Sequence, residues 1–135
     1  MPHKLLDAAT PSDSREAEQF VSLVADKLAA TDRLFRDCLA SDVPFIQKSG
    51  EYIFDGGGKR MRPALLLLCA RMLERDGDEE VTYAAVVELI HTATLIHDDI
   101  IDHSSLRRGR RTINELWGYI LTVLVGDWLY TTAMK

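Results

Sequence analysis

"ELIHTATLIHDDIID", residues 88–102, puts three aspartates in its last five positions, directly behind a stretch that is mostly apolar or small. Uncompensated carboxylates are costly to bury, so the periodicity of this segment decides how the chain is read. At about 100° per residue, a helix sets Asp98 and Asp102 about 40° apart, one turn from each other on one face. Asp99 falls at the margin of that face. Counted backwards, the same stripe runs through Thr94 and His91 to Val87, from strongly anionic to apolar. The segment reads as the end of a long helix opened by Thr82 and continuing to about His103.

Outward from it, nearly every segment has helical spacing. "SDSREAEQFVSLVADKLAA", residues 12–30, carries Phe20, Val21, Val24 and Leu28 on one side, and Asp13 with Glu16 resembles a capping box. Thr31 or Asp32 is expected to restart a helix bearing Phe35 and Leu39. Another helix is expected from Val43 to about Ile53, stopping at Gly56-Gly57-Gly58. Glycines end a helix through their left-handed freedom and let backbone approach a ligand closely. Pro63 suits the first turn of "PALLLLCARML", which is apolar nearly all round and so reads as a buried helix. "ERDGDEE" and "SLRRGRRT" read as loops. "INELWGYILTVLVGDWLYTTAMK" reads as one or two helices interrupted near Gly118. With no repeat, no low-complexity tract and no convincing strand alternation, the expectation is an all-α domain whose residues 1–12 are flexible.

Composition narrows the function classes. The chain has 135 residues, 47% apolar and 27% charged, the balance of a soluble globular protein. No apolar run approaches the ~18–20 residues of a membrane span, and no basic-then-apolar leader is present, so a cytoplasmic location is expected. Cys38 and Cys69 sit in apolar helical segments and read as buried, reduced thiols. A net charge of −5 argues against general nucleic-acid binding. The positive charge is concentrated, however, in "KRMR" at 59–62 and "RRGRR" at 107–111.

Two carboxylates at i and i+4 repel each other unless a cation sits between them. Oxygen-only ligands favour a hard ion, and magnesium binds through one or two carboxylates, taking the rest of its shell from water and phosphate. A solvated acidic helix end is the plainer alternative. It is weakened because carboxylates oppose the dipole at a helix C-terminus. Zinc is disfavoured: His91 and His97 lie six residues apart, far from the i, i+4 geometry of a shared ion. His91 suits a phosphate contact and His97 core packing.

In "GGGKRMRP", Lys59, Arg60 and Arg62 follow flexible glycines at the start of a helix, where unpaired amides and the dipole favour an anion. Arginine adds a planar fork for phosphate oxygens and lysine a point charge. The spacing does not fit a nucleotide-binding P-loop, since Arg60 follows Lys59. "RRGRR" alone reads as a solvated loop or a nucleic-acid patch. Its position five residues beyond Asp102 lets it fold back and bring positive charge to the same anion.

Taken in order and spacing, "GGGKRMRP", "ELIHTATLIHDDIID", "LRRG", "WG" and "LVGDWL" resemble the trans-isoprenyl diphosphate synthases, or polyprenyl synthetases. The resemblance covers roughly residues 20–135. It implies the N-terminal portion of the isoprenoid synthase helical bundle. It also implies a transferase that condenses isopentenyl diphosphate with an allylic diphosphate, using two or three magnesium ions. Carried over, Asp98 and Asp102 are the principal metal ligands, with Asp99 supporting. Lys59, Arg62 and His91 match the isopentenyl diphosphate site. Arg107 corresponds to the allylic diphosphate contact and Arg108 to the isopentenyl diphosphate contact. The implied chemistry is ionisation of the allylic C–O bond, with magnesium and Arg107 stabilising the departing diphosphate, then attack of the isopentenyl double bond on the cation and proton loss that restores an alkene. Product length is set by residues below the first aspartate, here Ala93 and Thr94, with Ile90 and Val87 deeper. Their small or aliphatic side chains imply a long-chain, octaprenyl-like synthase serving quinone side chains, although Ala93 and Thr94 also suit plain close helix packing. The resemblance further implies a homodimer and a product that meets membrane.

The sequence departs from that pattern in two ways. Family members are longer and carry a second aspartate-rich motif, which nothing after Asp127 supplies, so the expectation is a fragment inactive alone, with exposed apolar faces that favour self-association. Arg111 stands where proline is frequent. A non-catalytic regulatory subunit is the alternative from another class, weighed against by the intact DDxxD and RRG. A terpene cyclase is the enzymatic alternative, weighed against by "GGGKRMRP" with His91.

Overall fold

The computed structural model describes residues 11–75 and 77–135. Expectations resting on residues 1–10, and on the Asp13 side chain, lie outside them. Pro11 and Ser12, placed in the flexible leader, already belong to the first helix. The described chain runs α1 (Pro11–Ser22), α2 (Ala25–Cys38), α3 (Pro44–Asp55), α4 (Met61–Met72) and α5 (Glu79–Ile101). It continues through β1 (Leu106–Arg107), β2 (Arg110–Arg111), α6 (Ile113–Trp117) and α7 (Tyr119–Ala133). The fold is all-α apart from one minute hairpin.

α5 is the axis, with α2, α4 and α7 packed around it. It begins at Glu79, three residues ahead of Thr82, with Glu79 and Glu80 in its first turn, where carboxylates complement the helix dipole. Its buried face alternates small and large residues: Ala84, Ala85, Leu89, Ala93 and Ile96. Leu89, Ala93 and Ile96 join Phe35 of α2, Ile113 of α6, and Val125 and Leu129 of α7 in the main core; Val24, Leu67 and Ala84 form a second cluster. Close approach of α5 and α7 is set at Gly126, where a Cβ would lie 2.2 Å from Nε2 of His97.

Four local expectations are corrected. The helix break lies at Leu23 and Val24 rather than at Thr31. The Thr31 hydroxyl donates back to the Lys27 carbonyl at 2.8 Å, which keeps this residue inside α2. α4 is not buried all round: Pro63, Ala64 and Leu67 face inward, whereas Leu65 is 57% and Met72 82% exposed. A helix apolar on every side carries no directional signal in its sequence. With it Cys69 is exposed, and Cys38 is only half-buried, its thiol pushed up by desolvation and then by the charge of Asp37.

The fourth correction is that "SLRRGRRT" is not merely a loop. Leu106 pairs with Arg111 and Arg107 with Arg110 in an antiparallel hairpin. Its two turn residues, Arg108 (φ 52°) and Gly109 (φ 76°), both lie in the left-handed region, as a type I′ turn requires. Thr112 then caps α6, its hydroxyl accepting from the Glu115 amide at 3.2 Å. Gly118, at φ 83°, separates α6 from α7 where the sequence suggested a break.

Candidate active site

The aspartates divide by burial. The Asp102 amide donates to the Asp98 carbonyl at 2.8 Å, so the last turn of α5 is intact and carries both side chains on one exposed face. Neither carboxylate has an ion pair or side-chain hydrogen bond among the described residues. Asp99 points inward, 5% exposed, and its Oδ1 accepts from Nε and Nη2 of Arg107 at 2.9 and 2.8 Å. That bond, then the charges of Asp99, Asp98 and Asp102, hold the guanidinium above its ordinary value despite partial burial. Asp99, expected to support the metal ligands, is paired with Arg107 in this structure.

The donor set fits one kind of ion. Among the described residues no three His, Cys, Asp or Glu side chains converge into a closed cage. Two open carboxylates one turn apart suit a hard cation that completes its shell with water and phosphate, as magnesium does.

Across the cleft lies the glycine loop, and here too its cations divide. Arg60, grouped with the anion-binding residues from sequence, is folded inward at the start of α4 in a left-handed conformation, φ 49°. Its Nε donates to Asp32 at 2.7 Å and its Nη1 to Glu88 at 3.0 Å, with the guanidinium carbon 4.9 Å from the centre of the Phe35 ring. Arg60 is thus a structural tie between α2, α4 and α5. Arg62 stays exposed, its Nη1 3.1 Å from Nε2 of His91. Because arginine only donates, Nε2 accepts, which places the imidazole proton on Nδ1 in a neutral ring. Burial, then the positive charge of Arg62, pushes the His91 pKa below its ordinary value. Lys59 is exposed on the same loop.

The hairpin bridges the two sides. Arg107 is tied to Asp99, while Nη1 of Arg108 donates to the Gly57 carbonyl at 3.2 Å. In this structure an arginine of the chain approaches one of these glycines closely: a Cβ on Gly58 would stand 3.1 Å from Nη1 of Arg108. Between helix, loop and hairpin lies a cleft of about 120 Å³, lined by Gly57, His91, Asp99, Arg107 and Arg108 among others.

Residues 43–135 match the family model for polyprenyl synthetase. The chain belongs to the polyprenyl synthetase family. It is 45% identical over 118 residues to the octaprenyl diphosphate synthase of Escherichia coli, covering 87% of this chain and 36% of that protein. Over 117 residues it is 39% identical to the all-trans-nonaprenyl-diphosphate synthase (geranyl-diphosphate specific) of Rhodobacter capsulatus, covering 86% and 36%. Among solved structures it resembles the polyprenyl synthase of Caulobacter crescentus CB15, complexed with calcium and isoprenyl diphosphate. The TM-score is 0.83 at 42% identity, over 87% of this chain and 36% of that one. The chain thus spans about a third of the length of these relatives.

In this member of the polyprenyl synthetases, the four residues expected to set product length differ in burial. Val87 and Ile90 are half-buried. Ala93 is 1% exposed within the core that includes Val125 and Leu129. Thr94 is exposed, its hydroxyl donating to the His91 carbonyl at 2.7 Å. His97 packs on α7, with Nε2 3.4 Å from the Val123 carbonyl and 3.5 Å from Oδ1 of Asp127. Sequence reasoning missed Asp32 and Glu88. Glu88 had a signal: it precedes Asp99 by eleven residues, about 20° away on one helical stripe, which marks a buried acidic face needing cations of its own.

Proposed function

We propose that this chain forms the diphosphate-binding part of a magnesium-dependent trans-polyprenyl diphosphate synthase. Such an enzyme joins isopentenyl diphosphate to an allylic diphosphate and builds a long product for quinone side chains. The observation that carries the reading is the division of charge around the cleft. Asp98 and Asp102 are left open at the end of α5, Arg107 and Arg108 line the cleft with His91, and Arg62 reaches that His91 at 3.1 Å. Asp98 and Asp102 would hold magnesium, which supplies positive charge against a leaving diphosphate. Arg107, kept charged and oriented by Asp99, reinforces that charge on the allylic side. Lys59, Arg62 and Arg108 hold the isopentenyl diphosphate, and neutral His91 offers its Nδ1 proton as a donor. No carboxylate here needs to act as acid or base.

Thr94, open toward the His91 stripe, is the position at which product length is best probed, because Ala93 is locked in the core. The reading extends to a cytoplasmic homodimer whose product meets membrane. No described helix is long and apolar enough to cross one, and α7 offers exposed Tyr119, Ile120 and Leu124 to a partner surface.

Since the chain spans 36% of the Escherichia coli relative, the test is a chimera in which residues 20–135 replace the matching stretch of that synthase. It is expected to extend an allylic primer with labelled isopentenyl diphosphate into long products. Thr94→Phe is expected to shorten them. A folded chimera without transfer, or with unchanged length in the variant, contradicts the respective part.

A further inference from the structure

A hairpin of two residues per strand has no stability of its own, yet this one carries Arg107 in β1 and Arg108 in its turn. On one side Arg107 is tied to Asp99. On the other, the hairpin rests on the C-terminal end of α3 through residues to which nothing above gives a role. The Tyr52 hydroxyl donates to the Arg111 carbonyl at 2.7 Å, across 59 residues of chain. Nη1 of Arg110 donates to the Tyr52 carbonyl at 3.3 Å, and its guanidinium carbon lies 4.2 Å from the centre of the Tyr52 ring. That carbonyl lies in the last turn of α3 and also accepts from the Gly56 amide at 3.1 Å, and the negative dipole end there favours a cation. Gly56 leaves the space: a Cβ there would stand 3.1 Å from Nη1 of Arg110. The Tyr52 ring is itself fixed edge-on against Trp117 of α6, centroids 5.6 Å apart.

We propose that Tyr52 and Arg110 are positioning residues, clamping the hairpin onto the end of α3 so that Arg108 stays against the glycine loop that carries Lys59 and leads into α4 with Arg62. Strand alternation sends Arg110 and Arg111 to opposite sides. Arg110 therefore reaches the clamp, while Arg111 is left to pair with Glu115 at 3.2 Å. The functional consequence rests on the diphosphate reading of the site; the clamp itself does not.

Two variants preserve formal charge. Tyr52→Phe keeps the ring and removes one hydrogen bond, and Arg110→Lys keeps the cation but not the stacked plane. Amide hydrogen exchange is followed across residues 105–112 against the rest of the chain, with calorimetric titration of isopentenyl diphosphate in parallel. Each variant is expected to speed hairpin exchange about 3- to 10-fold, the size of one net hydrogen bond, and to weaken isopentenyl diphosphate by a similar factor. Unchanged hairpin exchange, or equal acceleration throughout the chain, overturns the clamp. Weaker binding without hairpin loosening overturns it as well. If the unaltered protein does not bind isopentenyl diphosphate, the functional reading fails, and the exchange measurement still decides the clamp.

Discussion

Residues of like charge one or two positions apart take opposite parts in this site. Asp98 and Asp99 diverge because a helix turns about 100° per residue, one facing water and the other the core. Arg60 and Arg62 diverge because the left-handed Arg60 at the start of α4 sends its side chain inward to Asp32 and Glu88. The stripe of Asp98 and Asp102 was legible from periodicity. The fate of Asp99 and Arg60 was not, since periodicity gives relative angles without saying which face meets a neighbour. His91 shows what the assembled charge does to a single group. Its pKa is lowered by burial first and by Arg62 next. Between the folded value and the ordinary one, the folded chain therefore carries fewer protons than the unfolded. Stability falls as pH drops through the ordinary histidine range and levels off below the folded value. In an NMR titration of the His91 ring, a pKa below 6.5 is expected. Arg62→Ala should raise it part of the way back, because burial remains. A His91 that titrates at or above its ordinary value contradicts the neutral pairing.

The helices themselves were mostly readable, since α3 and α5 follow apolar spacing and end near glycine or a charge cluster, and α7 follows Gly118. The break between α1 and α2 was hidden because Thr31, a plausible cap, bonds back within its own helix. The hairpin was hidden because two residues per strand are too few for alternation to appear. What joins the elements is buried charge. Glu80, Glu88 and Asp99 on α5 each meet a cation, from Lys27, Arg60 and Arg107, and among the described residues no buried side-chain polar atom lacks a partner. Removing one member leaves a charge without compensation. Arg60→Ala is therefore expected to lose about 3 kcal/mol in urea unfolding, because Glu88 stays buried and unpaired. Adding Glu88→Gln should recover part of that loss. A loss no larger than an exposed pair gives, about 1 kcal/mol or less, contradicts a tie between α2, α4 and α5.

At the scale of the molecule, α5 organises everything: its core face assembles α2, α4 and α7, and its last turn brings Asp99 into the cleft while leaving Asp98 and the capping Asp102 exposed. Membership of the polyprenyl synthetase family was visible in the sequence because the motifs fall in fixed order along this one helix and its flanks. The charge division is a tertiary property that only the folded chain displays. The most direct measurement is calorimetric titration of an allylic diphosphate into the protein, with magnesium and again with the metal chelated. Binding is expected to need magnesium and to weaken at least about tenfold in Asp98→Asn combined with Asp102→Asn, the loss of two charged ligands. Equal affinity with and without magnesium, or in the double variant, would contradict the assignment of those aspartates to a metal–diphosphate site.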